Sequence, residues 1–346
     1  MESKVKKVVV GVTLFLTMMF FTTSLVSAAA MKIPPKGNKK ITIGVVDLIS
    51  SIEVAAIYNA AYKKEAEARG WSLKVFDLQL NIPQAQSVVE NMIAAGYDGI
   101  IVNWTSPHFF KKQVEMAFSK GIPIITVGEG VTHPGIIAEV GQYYGVSGGL
   151  AAQYLVSKVR GTKPKIVTLM DTRLDISTIK YAVAKSIFNF YNVQILAELD
   201  LASAQGNPGV WVQEQVRNLI LNDPNKEIKG AWSFWEGAGL PAAEAFSSAG
   251  RNDAVVVTCE DSPRTYELIG KLPTMYAASG ANGVFVNSSV KKLFKLFDSI
   301  FEGKPENDQQ TIEAIPYLVT KENLPPKGYF LNPKQVYSGP KDYIVK

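Results

Sequence analysis

From Ile41 onward, short apolar β-rich runs alternate with amphipathic segments of helical period, and few folds accommodate that alternation. Candidate strands are 41–46, 73–76, 99–102, 122–127, 165–169, 193–198, 230–234 and 254–259. Candidate helices are 54–69, 84–95, 109–120, 143–160, 177–191, 210–222, 242–249 and 290–302. The strand runs show little polar alternation, as in a parallel sheet covered by helices on both faces. Gly70, Gly96 and Gly121 each follow a helical run, where a left-handed terminal residue is least costly. Two such sets in one chain predict an α/β fold of two doubly wound parallel-sheet lobes.

Ligands of such sheets bind beyond the carboxyl ends of the strands. The residues just after the strands are Asp47, Trp104, Glu129, Asp171, Trp235 and Glu260, all polar, charged or aromatic and drawn from both halves. Glu236, Arg173 and Lys180 lie close by in sequence. Tryptophan faces stack on the C–H face of a sugar or hold a cation. Ionised carboxylates accept from hydroxyl or ammonium groups. These nine residues are therefore the candidate binding set for a small polar ligand, a sugar or polyol or else a cationic amine. Arg173 and Lys180 would neutralise part of the acid or grip a ligand carboxylate. Each also has a structural reading: Trp104 and Trp235 as interlobe packing, Glu129 as a turn cap, and Asp47, Asp171 and Glu236 as helix caps or lobe-lobe ion pairs. Asp261 competes with Glu260 for the ligand position. Trp71, Trp211 and Cys259 read as structural.

The first 30 residues carry a different signal. Lys4, Lys6 and Lys7 precede an apolar run, 8–26, and Ser27, Ala28, Ala29 and Ala30 supply the small residues of a cleavage site. This predicts a signal peptide over 1–30, cut near Ala28 to Ala30, and export to the periplasm. The alternative is a single retained membrane span. A Pro-, Gly- and Lys-containing leader, 31–40, then precedes the first strand.

Composition narrows the function classes. The formal charge is +5, of which the first 30 residues carry +2, and no cluster of five or more Lys/Arg occurs. A nucleic-acid partner is therefore not expected. Cys259 is the only cysteine, which excludes an internal disulfide and a thiolate zinc site. Gly145-Val146-Ser147-Gly148-Gly149 spells a nucleophile elbow, but a hydrolase needs a later acid and His, and both histidines, His108 and His133, precede Ser147. Gly237-Ala238-Gly239-Leu240-Pro241-Ala242 loosely spells a dinucleotide fingerprint, in the wrong half of the chain for one. No Gly-Lys-Ser/Thr phosphate loop is present. The expectation is a binding module, not an enzyme, with no cofactor and no metal.

Several stretches carry a resemblance: "NIPQAQSVVENMIAAGYDGIIVNWTSP" with "KGIPIITV" between Asn81 and Val127, then "GVSGGLAAQYLVSK", "SFWEGAGLPAAEAF" and "VVVTCEDSP". Over residues 40–320 the sequence resembles type I periplasmic substrate-binding proteins of the ribose- and galactose-binding group, related to lac-repressor-like sensor domains. The resemblance implies two lobes joined by a three-crossover hinge that closes on one small ligand. It implies a first lobe of 41–141 plus 279–305, a second of 142–278 plus 306–320, and an added tail, 321–346. It also implies delivery to an ABC-type permease, or alternatively signalling to a membrane sensor kinase or chemoreceptor. The sugar binders of the group place Asp or Asn followed by Arg after the fourth strand, where this chain has Gly128-Glu129-Gly130. Their Asn-Asp is matched by Trp235-Glu236, and their Gly-Phe-Asp by Thr258-Cys259-Glu260. Their stacking aromatics after the first strand are absent from Ser50-Ser51-Ile52-Glu53, leaving Trp104 and Trp235 as candidate walls.

Overall fold

The computed structural model describes residues 31, 35–37, 39–159, 161, 163–204, 206–304 and 310–332. The expected signal peptide, its cleavage site and the end of the tail lie outside the described residues. In chain order the first half holds β1 (Thr42–Asp47), α1 (Glu53–Glu67), β2 (Ser72–Asp77), α2 (Gln84–Ala94), β3 (Gly99–Asn103), α3 (Lys111–Ser119), β4 (Ile124–Val127) and β5 (Ala138–Gln142). Next come α4 (Tyr144–Lys158), β6 (Lys165–Met170), α5 (Asp175–Phe190), β7 (Gln194–Asp200), α6 (Pro208–Leu221), β8 (Ile228–Ser233), α7 (Glu236–Ser248), β9 (Val255–Cys259), α8 (Pro263–Lys271) and β10 (Met275–Gly280). The chain ends in α9 (Asn282–Val284), a π-helical turn (Phe285–Ser289), α10 (Val290–Phe301), β11 (Gln310–Ala314) and β12 (Tyr317–Thr320).

Two six-stranded sheets form, in the orders β11-β5-β4-β3-β1-β2 and β12-β10-β9-β8-β6-β7. All ladders are parallel except β10 with β12, which is antiparallel. The uniform apolarity of the inner strands has the expected cause. Val45 of β1 packs into a core with α1 and α10, and its neighbour Val46 packs into a second core with α2 and α3 on the opposite face. Successive side chains point to opposite faces, so both faces need apolar residues. The edge strands β2 and β7 carry exposed positions, in β7 at every second residue. One continuous core underlies the second sheet.

The chain crosses between sheets after β5, after β10 and between β11 and β12. The expected boundary at 305/306 is corrected. Gln310–Ala314 pairs along β5 in the first sheet, which places the third crossing at Ile315 and Pro316. The second crossing falls after Gly280, not at 278/279, because Ser279 and Gly280 still pair within the second sheet. Four strands escape the sequence pattern: β5, β10, β11 and β12. β10 reads Met-Tyr-Ala-Ala-Ser-Gly, and β5 and β11 are polar-interrupted, so packing rather than intrinsic preference makes them strands. α8 also lies outside the candidate helices, although Tyr266 and Ile269, three residues apart, bury one apolar face; Ser262 caps it by accepting from the Thr265 N–H at 3.2 Å.

Both sequence decoys resolve into packing. Ser147 lies inside α4, its hydroxyl donating to the Ser279 carbonyl at 2.9 Å. Gly148 passes so close to α5 that a Cβ would lie 2.4 Å from the Lys180 carbonyl oxygen. A Cβ on Gly239 would lie 2.8 Å from Thr258, so this glycine serves close contact of α7 with β9. Trp71 packs against Phe294 and Phe301, Trp211 against the core of the second sheet, and Cys259 is buried with its thiol pushed up to about 12 by that burial.

Candidate functional site

The strand ends of the two sheets line a cleft open to solvent, about 670 Å³ counting its open mouth, with walls from both lobes. Six of the nine expected residues line it: Trp104, Asp171, Arg173, Lys180, Trp235 and Glu260. A smaller cleft, about 290 Å³ counting its open mouth, adjoins it and shares Trp104, Glu260 and Asn282 with it.

Backbone geometry aims these side chains. Trp104 follows β3 with φ +49°, and Glu260 follows β9 with φ +65°. Left-handed conformations are costly for residues with a Cβ and concentrate at functional sites. In each case the turn swings the side chain out of the strand's alternation. Trp104's N–H is held by the Val127 carbonyl at 2.8 Å. Its ring fills the space beside Gly128, where a Cβ would lie 2.5 Å from the indole. The Trp235 ring likewise lies across Gly237, where a Cβ would be 2.3 Å away. The apparent dinucleotide glycine is therefore a seat for a pocket tryptophan.

The charged residues occur in pairs. Arg173 grips Asp171 by two hydrogen bonds, Nε to Oδ1 at 2.9 Å and a terminal nitrogen to Oδ2 at 2.6 Å. Lys180 is fully buried and donates to Glu260 and, at 3.3 Å, to the Phe234 carbonyl. Its ammonium also lies 5.2 Å from the centre of the Tyr144 ring. Gln142 donates to both Glu260 oxygens at 2.9 and 2.8 Å.

Three expected residues do not line the cavity. Asp47 is buried behind the β1–α1 turn, accepting from Ser50 at 2.8 Å and Asn59 at 2.6 Å. Burial pushes its carboxyl upward. Glu129 is buried with neither carboxylate oxygen hydrogen-bonded, and burial, then the neighbouring Glu139 and Asp175, push it well up. Glu139 accepts from the Glu129 and Gly130 N–H groups at 2.8 and 3.0 Å, and burial lifts it to about 7. Glu236 lies buried in the first turn of α7, lifted to about 8 by burial and then by Glu260. A position after a strand says nothing about which way the side chain turns, and these three turn into the protein.

Asn282 was missed, and it sits at the centre. It lines both cavities just after the second crossing. Its side-chain oxygen accepts from Tyr58 of α1 at 2.7 Å, and its backbone and side-chain nitrogens donate to Asp261 at 2.9 and 2.8 Å. Asp261 also accepts from Tyr266 and, at 3.0 Å, from Tyr317 beyond the third crossing. Burial lifts its carboxyl to about 6. Asp261 thus turns inward to brace the crossings, and Glu260 faces the cavity. An Asn following a strand that does not look like one leaves no readable signal. Gln142, at the end of the equally unsignalled β5, was missed for the same reason.

A cleft between two doubly wound lobes, braced where segments cross between them, is the architecture of a two-lobed binding protein. The chain belongs to the periplasmic binding protein domain family, whose profile matches residues 44–292. It is 24% identical over 312 residues to the ribose import binding protein of Bacillus subtilis (strain 168), covering 83% of this chain and 98% of that one. Among solved structures it resembles an ABC sugar transporter subunit from Rhodobacter sphaeroides 2.4.1, with TM-score 0.72, 21% identity, and 82% and 99% of the two chains covered. It also resembles an ABC transporter solute binding protein from Agrobacterium vitis with bound allitol, with TM-score 0.72, 18% identity, and 83% and 97% covered. Among the described residues no helix is long and apolar enough to cross a membrane, and no group of His, Cys, Asp and Glu is arranged to hold a metal.

Proposed function

We propose that this chain is an exported solute-binding protein that closes its lobes on a sugar or polyol and presents it to an ABC-type permease. The observation that carries this reading is the cavity itself. Its walls come from both lobes, with Trp104 on one and Trp235 on the other, and Asn282 at the crossing between them. A ligand touching both walls favours the closed form over the open one, and only such a differential contact shifts the equilibrium. The import role named for the Bacillus relative and the polyol in the Agrobacterium structure support the carbohydrate class. Delivery to a permease is preferred over signalling to a sensor kinase or chemoreceptor on the same ground.

A cationic amine fits less well. The cavity acids Asp171 and Glu260 are each already matched, by Arg173 and Lys180. A cation entering would meet a balanced set, not an acidic cage. The test is isothermal titration of protein purified from the full chain with pentoses, hexoses, hexitols and quaternary amines. A carbohydrate bound with Kd in the micromolar range or below, and lost in Trp235→Ala, is the expected result. At 100 times Kd, such a ligand adds roughly 2.7 kcal/mol of stability. Binding confined to amines, or binding unaffected by Trp235→Ala, would defeat the reading.

A further inference from the structure

The cavity is far more apolar than a fully hydroxylated ligand requires. Ile49, Ile52 and Leu80 line it from the first lobe, and Leu174, Leu201 and Pro208 from the second. Its polar groups are largely committed to one another. Arg173 occupies both Asp171 oxygens, Gln142 and Lys180 occupy Glu260, and Asn282 is engaged by Tyr58 and Asp261. A buried hydroxyl without a partner loses its hydration with no return. What remains is the second acceptor capacity of the carboxylates, the spare Arg173 N–H groups and the indole N–H groups. These satisfy a few hydroxyls clustered at one end, not a ring of them facing aliphatic walls.

Leu80 supplies an independent observation. It has φ +65° directly after Gln79 at φ +49°, two successive left-handed residues in the β2–α2 connection. Its N–H is tied to the Leu48 carbonyl at 2.8 Å. Leucine is poorly suited to this conformation, whereas Asn or Gly adopts it readily. The strained backbone sets an aliphatic side chain at the wall of the cavity, where strain of this kind is usually tied to function.

Resting on the sugar-or-polyol reading, we infer that the ligand is amphiphilic: a hydroxylated ring or chain bearing an alkyl, thioalkyl or aryl substituent. The hydroxyls meet Glu260, Arg173 and the indole N–H groups of the tryptophans, and the substituent lies along Leu80, Ile52 and Leu174. Each methylene buried there tightens binding roughly fourfold.

The test is calorimetric titration of full-chain protein with D-ribose and ribitol, against methyl and phenyl β-D-ribofuranosides and 5-deoxy-5-methylthio-D-ribose. At least one substituted probe binds tenfold or more tightly than its unsubstituted parent. Leu80→Asn, which relieves the left-handed strain and so keeps the fold, brings the two affinities to within about threefold. Ile52→Thr narrows the same ratio. The inference is overturned if ribose or ribitol binds as tightly as every substituted probe, or if Leu80→Asn leaves the ratio unchanged. If no carbohydrate binds, substituted or not, the sugar-or-polyol reading fails and this inference with it. If only the bare polyols bind, that reading stands and this inference alone falls.

Discussion

The Lys180–Glu260 pair offers the sharpest energetic test of the site. Lys180 is 0% exposed and Glu260 13%. Glu260→Gln removes the counter-charge and leaves the ammonium with neutral acceptors alone: the new amide oxygen, the Phe234 carbonyl at 3.3 Å and the Tyr144 ring. An uncompensated buried charge of this kind costs about 3–5 kcal/mol, and the retained amide acceptor puts this variant toward the lower end. Lys180→Met keeps the aliphatic volume and strands Glu260, which retains Gln142 and some water. Its cost should fall toward about 3 kcal/mol. The double variant removes both charges together, leaving a neutral amide beside a methionine. It should be less destabilised than either single variant, giving a coupling energy above about 3 kcal/mol. Urea unfolding of the four proteins, without ligand at pH 7, measures the cycle through the change in midpoint at constant m-value. Additivity within about 0.5 kcal/mol would show that the two groups do not depend on one another, and the paired-charge description of the cavity would be wrong.

Other consequences follow from the same geometry. Gly128→Ala combines φ +83° with a Cβ 2.5 Å from the Trp104 ring, so it should cost about 1–2 kcal/mol in backbone strain and shift Trp104; unchanged tryptophan fluorescence and ligand affinity would contradict this. Burial raises Glu236 from 4.5 to about 8, so the folded protein holds a proton there that the unfolded chain has released. That stability is fully present below pH 4.5 and is lost as pH rises to about 8. Glu236→Gln should therefore unfold at a higher temperature than the parent at pH 8.5, the gap closing near pH 4.5, and a parallel pair of melting profiles would refute the assignment. Asn282→Ala removes the link from Tyr58 to Asp261 and should cost about 1–3 kcal/mol, with weakened ligand binding by calorimetry; an unaltered urea midpoint would mean that the crossing does not rely on it.

Much of the architecture could be read from residue order, because burial on both faces of a parallel strand demands an uninterrupted apolar run. Val45 and Val46 feeding opposite cores is that demand met by two adjacent residues. The same logic located the strand ends and hence the cavity, since polar and aromatic residues replace the apolar run where a sheet stops. It could not separate Glu260, which faces the cavity, from Asp47, Glu129 and Glu236, which turn inward. That choice depends on local backbone dihedrals such as the φ of +65° at Glu260, and on which neighbour can accept the side chain. The third crossing, the brace of Asn282, Asp261, Tyr58 and Tyr317, and the pairing of Lys180 with Glu260 likewise join residues far apart in the chain. Periodicity encodes how each element buries itself. Only the packed structure decides which charge meets which, because Lys180 of α5 and the residue after β9, Glu260, meet only once the second lobe has folded.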